Sequence, residues 1–474
     1  MFLPFFLLVY HALPANRNVQ TRTHFDWQNS FLFIASLLFY AWGEELVVLI
    51  LLLSAAINYI AGLLIAYNYR RGGLYLSLLG SLSLLFYYKY ANFTIYTASQ
   101  IAKYWGMPVE SWQHMESIAL PIGISFYTFQ GISYTLDVYW GRIKANRNFI
   151  EYGTYVAMFP HQIAGPIVRY ADIAGEIRSR QTTFYSFSLG IERFIIGLSK
   201  KMLLANNFAR IADTIFDAPI DVISTPAAWL GIVAYSLQIY FDFSGYSDMA
   251  IGLGKMIGFD FKENFNYPYT AQSIQDFWRR WHISLSSWFR DYLYVPLGGS
   301  RGTAMQTYRN LLIVFFVTGL WHGASWNFIV WGLFHGLFLL IERAGLANRL
   351  KQAPKLIRHL YTLLIVLIGW VFFRADDLSS AITYLSRMVG SSEVNSTWIA
   401  YPASYFLTPP LLGTLLLGCL LATPFYHWWT YQWQRRVPAF WSSISYIFGL
   451  FSLFIITLIY LAASTYNPFI YFRF

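Results

Sequence analysis

Three histidines in strongly apolar surroundings are the residues of this chain best suited to acid–base chemistry. His322 lies between Trp321 and Gly323, His335 follows later in the same apolar run, and His282 lies in the segment WRRWHISLS. A correctly positioned imidazole can take a proton from a hydroxyl group near neutral pH. A histidine inside an apolar bundle is costly unless it has a function or partners, so His322 is the first candidate. The alternative is a histidine whose hydrogen bonds join helices.

Two arginines and a tryptophan come directly before His282. Arg279 and Arg280, with Trp281 beside them, could bind the phosphate groups of a donor molecule, because guanidinium groups bind phosphate oxygens bidentately. We expect the two positive charges to lower the pKa of His282 and to keep it neutral as a base. The alternative interpretation is a basic and aromatic belt at a membrane interface.

Other polar side chains interrupt apolar segments elsewhere. Asp242 and Asp248 lie in the segment 238–259, where buried carboxylates could pair with an arginine, orient a histidine or bind a cation. They are six residues apart and do not share a face of a regular helix, so no metal site is expected. His161 lies between two proline-containing turns in 159–170, which predicts a re-entrant turn in which a structural role is favoured over catalysis.

The composition indicates a membrane protein. Of the 474 residues, 57% are hydrophobic and 12% are charged, whereas about a quarter of the residues in a soluble domain are charged. Crossing a bilayer takes about 20 apolar residues, and the expected fold is an all-α polytopic membrane bundle of about 10–12 spans. The strong runs are 46–66, 74–92, 118–140, 229–257, 311–341, 405–426 and 445–465, and the shorter ones are 1–14, 31–43 and 360–374.

The net charge of +10 is best read loop by loop, as a signal of membrane orientation and not of nucleic-acid binding. With residues 150–310 left out because their path is not assigned, Lys and Arg are sparse in the other loops and concentrate in 14–30, 67–73, 141–149, 343–359 and 427–444. We therefore expect these basic loops on the cytoplasmic side and both termini on the extracytoplasmic face. Nucleic acid is not an expected partner.

We expect one membrane domain over 1–474, divided into N-terminal spans in 1–149, a catalytic core in 150–343, and C-terminal spans with an aromatic tail in 344–474. The dense charges of the core cannot face lipid, which predicts re-entrant and interfacial helices there. In the core, Gly319, Gly323 and Ser325 predict a helix break beside His322. No Walker A loop, dinucleotide fingerprint, HExxH or GxSxG motif is present, so those hydrolase and nucleotide-driven classes are excluded.

Four long motifs resemble the membrane-bound O-acyltransferase family. They are FPHQIAGPIVRY (159–170), YFDFSGYSDMAIGLGKMIGF (240–259), NFNYPYTAQSIQDFWRRWHISLSSWFRDYLYVPLGGSR (264–301) and TGLWHGASWNFIVWGLFHG (318–336). The resemblance implies a helical bundle around a central funnel, with an essential histidine at His322. A second recurrent polar position, which is Asn, Asp or His in the family, maps onto His282. The residues expected to support this site are Asp242, Asp248, His161, Trp321 and His335.

Within the family, the resemblance is strongest to the bacterial branch that acetylates alginate. It implies a multi-pass protein of the bacterial inner membrane that moves acetyl from cytoplasmic acetyl-CoA, with no bound cofactor, to an extracytoplasmic polysaccharide. Alginate is the first expectation, and peptidoglycan and cellulose are alternatives. The expected partners are an extracytoplasmic transferase protein and the lipid bilayer. A transporter without chemistry is the rival class, but the paired discontinuous helices in two related halves that it predicts are not evident.

The C-terminal sequence FIYFRF (469–474) resembles the Phe-x-Tyr-Phe-x-Phe signature of related acylation systems. This resemblance makes Tyr471 a candidate acyl relay. The alternative is an aromatic belt that anchors the terminus at the membrane interface.

Overall fold

A computed structural model gives the fold of residues 2–14, 26–109, 117–390, 402–406 and 408–463. The described residues form α-helices with short 3-10 and π-helical segments, and no strand occurs among them. The predicted all-α fold is confirmed. The chain forms two compact units, called here the N-terminal unit (Met1–Ile191 and Ala250–Lys262) and the C-terminal unit (Glu192–Met249 and Glu263–Phe474).

The described part of the N-terminal unit is helical. Its helices are Phe2–Ala12, Trp27–Glu44, Val48–Ala66, Arg70–Leu85, Ala91–Tyr104, Ile124–Tyr139, Phe149–Ala157 and Tyr170–Arg178. The helices Phe184–Ser199 and Thr225–Met256 each have one end in this unit.

Asn58 joins three helices of the N-terminal unit through its side-chain amide. Its Oδ1 accepts hydrogen bonds from Ser77 Oγ (2.6 Å) and Thr135 Oγ1 (3.3 Å), and its Nδ2 donates to Ser81 Oγ (2.9 Å). The helices approach closely here because Gly131 has no side chain, and a Cβ at that position would collide with the Asn58 amide. Small residues and buried polar pairs are the usual means of packing helices in an apolar environment.

The C-terminal unit contains His282, which lies between two short helices, and the helix that ends at His322. Its helices are Asn206–Phe216, Ile274–Arg280, Ile283–Phe289, Ala304–His322, Trp326–Ile341, Ala347–Gln352, Lys355–Arg374, Leu378–Met388, Ala403–Phe406, Pro409–Leu421, Phe425–Arg436 and Ala439–Ala463.

The predicted helix break beside His322 is confirmed. The helix Ala304–His322 ends at this histidine, Gly323 is extended (φ −159°, ψ 152°), and the next helix begins at Trp326. The two helices pack closely because a Cβ on Gly332 would collide with the carbonyl oxygen of Phe315. Local glycines therefore both end the helix at His322 and let its neighbour approach.

Four described helical segments are long and apolar enough to cross a bilayer, and the bent pair Pro409–Leu421 and Phe425–Arg436 makes a fifth if it is one span. The sequence predicts a simple span over 405–426, but the two helices of this pair meet at 80°. Pro424 precedes the second helix and lacks the amide that would continue the first. The four segments are Trp27–Ala66, Trp326–Gln352, Lys355–Arg374 and Ala439–Ala463.

The other predicted runs fold as helices that are shorter or more polar than a simple span. The run 118–140 contains the helix Ile124–Tyr139, which starts only after Gly123 at φ 77°. All but the last residue of the run 229–257 lies in the helix Thr225–Met256, which carries two aspartates and a lysine. The expected count of about 10–12 spans stays a prediction, because several of the predicted runs fold as broken or partly polar helices.

We predict that Asn58→Ala lowers the stability of the protein, because it leaves the hydroxyl groups of Ser77, Ser81 and Thr135 without their common partner. The expected loss is about 1–2 kcal/mol. Thermal unfolding of the purified protein in detergent measures it. Gln100→Ala, an exposed amide on the helix Ala91–Tyr104, is the control, and an equal effect of both substitutions would contradict the role of Asn58.

Candidate functional site

His282 and His322 lie together in the C-terminal unit. Their ring centroids are 6.3 Å apart, and both side chains are buried, with 0% and 5% of their surface exposed. The indole ring of Trp321 lies against both, at 5.7 Å from the ring of His282 and 4.9 Å from that of His322. The two histidines named first from the sequence therefore form one cluster, with Trp321 as its shared wall.

Aromatic rings form the rest of the surroundings of His322. Trp331 meets the imidazole edge-on at 4.9 Å, and Phe373 does so at 5.1 Å. Phe373 belongs to the helix Lys355–Arg374, and Trp331 to the helix that follows the break. Three separate helices thus enclose the imidazole in rings that exclude bulk water, which strengthens electrostatic interactions inside the site.

His282 lies in a left-handed backbone conformation, with φ 44° and ψ 56°, between two short helices. This conformation is unfavourable for a residue with a side chain, and Asn264 holds it in place. The Asn264 carbonyl accepts from Ile283 N (2.9 Å), and its Oδ1 accepts from Ser284 N (3.1 Å) and Ser284 Oγ (2.8 Å). Asn264 Nδ2 donates to Ser247 Oγ (3.2 Å), so both ends of the buried amide are used.

Burial lowers the pKa of His282 to about 3, well below the usual histidine value. The direction of this pKa shift agrees with the prediction, but its cause does not. Burial desolvates the imidazole and lowers its pKa, whereas the sequence suggested an effect of the neighbouring arginines. Arg280 Nε forms an ion pair with Asp276 (2.9 Å), and Arg279 is exposed. His282 is therefore a neutral imidazole at physiological pH, able to donate one hydrogen bond and accept another.

The three residues predicted to bind the donor do not share one environment. Arg279 is exposed at the end of the short helix Ile274–Arg280, whereas Arg280 is bonded to Asp276 on the same helix. Trp281 is buried, and its ring lies 4.9 Å from the ring of Trp370. Trp281 is thus part of the buried aromatic packing. The donor-binding role of the three residues stays a prediction.

The two aspartates each pair with different cations of the C-terminal unit. Asp242 lies 2.6 Å from Lys201 Nζ, and Asp248 lies 2.6 Å from both Lys200 Nζ and Arg193 Nη2. As expected from their spacing, the carboxylates face different ways. Among the residues that the structure describes, no group of three or more His, Cys, Asp or Glu is placed to hold a metal ion. Of the roles left open by the sequence, pairing with cations is the one observed.

His335 lies one aromatic ring away from His322. The Trp331 ring lies 5.3 Å from His335 and also contacts His322. His335 is fully buried, and a Cβ on Gly369 would lie 2.6 Å from its Nε2. The imidazole is thus packed directly against the backbone of the helix Lys355–Arg374. It also contacts Trp331, which in turn contacts His322.

His161 belongs to the N-terminal unit. Its Nδ1 lies 3.1 Å from Gln130 Nε2, and burial lowers its pKa to about 4. It lies in the 3-10 turn Phe159–His161, as expected for a structural elbow. Tyr471, the candidate relay, lies outside the described residues.

The sequence did not identify three polar residues that position the site: Asn264, Glu342 and Asn327. Glu342 caps the helix before His282, since its carboxylate accepts from Ile274 N (2.6 Å) and Gln275 N (3.1 Å). Asn327 Nδ2 donates to the Ala375 carbonyl (2.6 Å) and so fixes the start of the helix after His322. The only signal in the sequence is a polar residue in an apolar segment, which does not identify its partner.

The chain is similar to known proteins over its whole length. Residues 142–386 match the family model of MBOAT, the membrane-bound O-acyltransferase family. The protein named "Probable alginate O-acetylase AlgI" in Pseudomonas putida is 40% identical, covering 100% of this chain and 98% of the relative. The protein of the same name in Azotobacter vinelandii is 47% identical, covering 80% and 74%. The "Peptidoglycan O-acetyltransferase" of Helicobacter pylori is 38% identical, covering 83% and 80%.

The chain therefore belongs to the membrane-bound O-acyltransferase family and is a multi-pass membrane acyltransferase.

Proposed function

We propose that this protein transfers acetyl from acetyl-CoA, taken up on the cytoplasmic side of a bacterial inner membrane, for O-acetylation of an extracytoplasmic polysaccharide. The observation that carries the proposal is the buried pair of His282 and His322, whose rings lie 6.3 Å apart. A hydroxyl group is a poor nucleophile until a base removes its proton, and two imidazoles in water-poor surroundings suit that task.

Alginate is the acceptor that we propose first. Relatives with 47% and 40% identity are named for alginate O-acetylation, and the second of them aligns with 100% of this chain. Peptidoglycan is the second candidate, because a relative with 38% identity is named for its acetylation. The same chemistry at the same two histidines would serve either polymer.

In the proposed reaction, His322 is the general base. It accepts the proton of the attacking hydroxyl while the hydroxyl oxygen forms a bond to the acetyl carbonyl carbon. The carbon–sulfur bond of the thioester then breaks, and the departing coenzyme A sulfur takes the proton back from the imidazolium. His282, which is neutral, donates a hydrogen bond to the carbonyl oxygen or orients His322. Of the three residues predicted to bind the donor, Arg279 is the one whose side chain is exposed and could meet a donor phosphate.

A separate extracytoplasmic transferase protein completes the proposed scheme by passing acetyl to the polysaccharide. If Tyr471 is the relay, its phenol oxygen is the hydroxyl that His322 activates, and the acetyl group rests there as an ester. The second protein then transfers it to a sugar hydroxyl and regenerates the phenol. Direct transfer from acetyl-CoA to a bound acceptor is the alternative.

We predict that His322→Ala abolishes acetyl transfer, with a rate loss of about 100-fold or more, because the general base is removed. Acetyl release from the polymer produced by complemented cells measures it, together with the amount and thermal stability of the variant. His427→Ala, an exposed histidine on the helix Phe425–Arg436, is the control. Undiminished acetylation by a folded His322→Ala protein would assign the catalysis elsewhere or favour a transporter.

We predict that Asn264→Ala lowers kcat about 10- to 100-fold with little change in the KM for the donor, because the side-chain hydrogen bonds to Ser284 that help to hold His282 in its left-handed conformation are lost. Asn264→Asp keeps the acceptor oxygen and should recover part of the rate. Steady-state kinetics in detergent measure both variants. Asn266→Ala, an exposed amide two residues away, is the control. A KM increase at constant kcat would argue against a positioning role.

We predict that Tyr471→Phe blocks acetyl transfer to the second protein, because the phenol oxygen of the relay is lost. Mass spectrometry of the C-terminal peptide after turnover with acetyl-CoA should show an added acetyl group on wild-type Tyr471. Tyr405→Phe, an exposed tyrosine, is the control. An unmodified Tyr471 in a protein that acetylates its acceptor would favour direct transfer.

A further inference from the structure

A polar cleft of about 810 Å³ lies within the N-terminal unit. Its walls come from the start of the helix Trp27–Glu44, the connection at Asn68, the loop 141–148, and the first turn of the helix Phe149–Ala157. The volume is that of a typical small-molecule site, about 300–1,000 Å³. Unlike the ring-lined site around His322, this cleft is lined largely by amide and charged side chains.

Four cationic side chains line the cleft: Arg70, Lys144, Arg147 and Arg178. Arg70 is fixed because its Nη2 donates to the Tyr139 carbonyl (2.6 Å). Lys144 and Arg147 are exposed, and neither forms an ion pair with another residue that the structure describes. Arg178 is half-buried, and its Nε is buried with no acceptor in the described part of the chain. Three of the four cations thus lack an ion-pair partner among the residues that the structure describes.

The two carboxylates of the cleft already accept hydrogen bonds from nearby amides. The Asp26 oxygens accept from Asn29 N (2.9 Å) and Asn29 Nδ2 (2.7 Å). Glu151 Oε2 accepts from Asn146 Nδ2 (2.9 Å). Four cations face two carboxylates, so the cleft has an excess of positive charge and offers donors to an anion.

We propose that this cleft binds the phosphate group of an anionic ligand. Guanidinium and ammonium groups bind phosphate oxygens through charge-assisted hydrogen bonds, and a concave wall lets several of them converge. Positive charge on cytoplasmic loops is general in membrane proteins, but orientation alone requires neither a cleft of this size nor a buried, unbonded guanidinium nitrogen. The proposal rests on the cleft itself and goes beyond the proposed acetyl transfer.

Two sources could supply the phosphate group. The loops 67–73 and 141–149, which contribute to the cleft, are two of the five loops that the sequence predicts on the cytoplasmic side. An anionic phospholipid presents a phosphodiester at that surface, and basic pockets near membrane helices bind such headgroups. A soluble phosphate compound such as coenzyme A could enter from the cytoplasm. The shared chemistry is one phosphate group held by Arg178 and the loop cations.

The test uses the full-length protein purified in neutral detergent. It is titrated separately with inorganic phosphate, with phosphatidylglycerol in mixed micelles, and with coenzyme A, and binding is followed by calorimetry. Lys144→Gln/Arg147→Gln removes two exposed charges and should leave folding intact, and Arg178→Gln tests the buried donor. The control, Lys351→Gln/Arg436→Gln, removes two exposed charges from the C-terminal unit.

We expect at least one phosphate ligand to bind the wild-type protein and to bind both cleft variants about tenfold more weakly. The control should stay within about twofold of the wild type. Binding of phosphatidylglycerol identifies a lipid site, whereas binding of coenzyme A or inorganic phosphate identifies a soluble ligand. The proposal is overturned if the wild type binds none of the three, or if the control loses as much affinity as the double cleft variant. These titrations need no acetyl transfer, so failure of the proposed function would leave them interpretable.

Discussion

A polar group buried among apolar helices is stable only when it has a partner, and this requirement organises both units of the protein. In the N-terminal unit, one amide at Asn58 serves three hydroxyl groups. In the C-terminal unit, Asp242 and Lys201 satisfy each other, and Arg374 Nη2 lies 2.9 Å from Asp213 and 2.8 Å from Asp217. Each such pair ties together segments distant in sequence, so polar groups specify which helices are neighbours while apolar side chains fill the space between them.

The histidine cluster uses two kinds of support for two purposes. Rings from Trp321, Trp331 and Phe373 contact the imidazole of His322 and exclude water from it. Polar contacts act on the main chain and not on the imidazole rings, because Asn264 and Glu342 accept hydrogen bonds from backbone amides around His282. The distinction is useful for catalysis, because a hydrogen-bonded backbone keeps an imidazole in position without occupying its nitrogen atoms.

Sequence reasoning succeeded where the signal was local. The break beside His322 follows from glycine and serine residues next to it, and the different faces of Asp242 and Asp248 follow from helical spacing alone. It did not identify Lys200 and Lys201 as their partners, because those residues come from another helix. The 80° bend at Pro424 was missed because hydropathy measures how apolar a run is and not whether it is straight. Asn264 was missed because its role depends on a turn formed by residues twenty positions away.

The left-handed backbone at His282 restricts which residues can occupy that position. Among residues with a side chain, Asn, Asp and His tolerate positive φ best, whereas β-branched residues tolerate it least. The family resemblance implies Asn, Asp or His at this position, and the backbone offers a steric reason for that short list. All three can also form hydrogen bonds, so the shape of the main chain pre-selects side chains that can take part in polar chemistry. An enzyme designer could therefore change the hydrogen-bond donors and acceptors at this position without rebuilding the loop. Valine or isoleucine would be excluded by the backbone conformation alone.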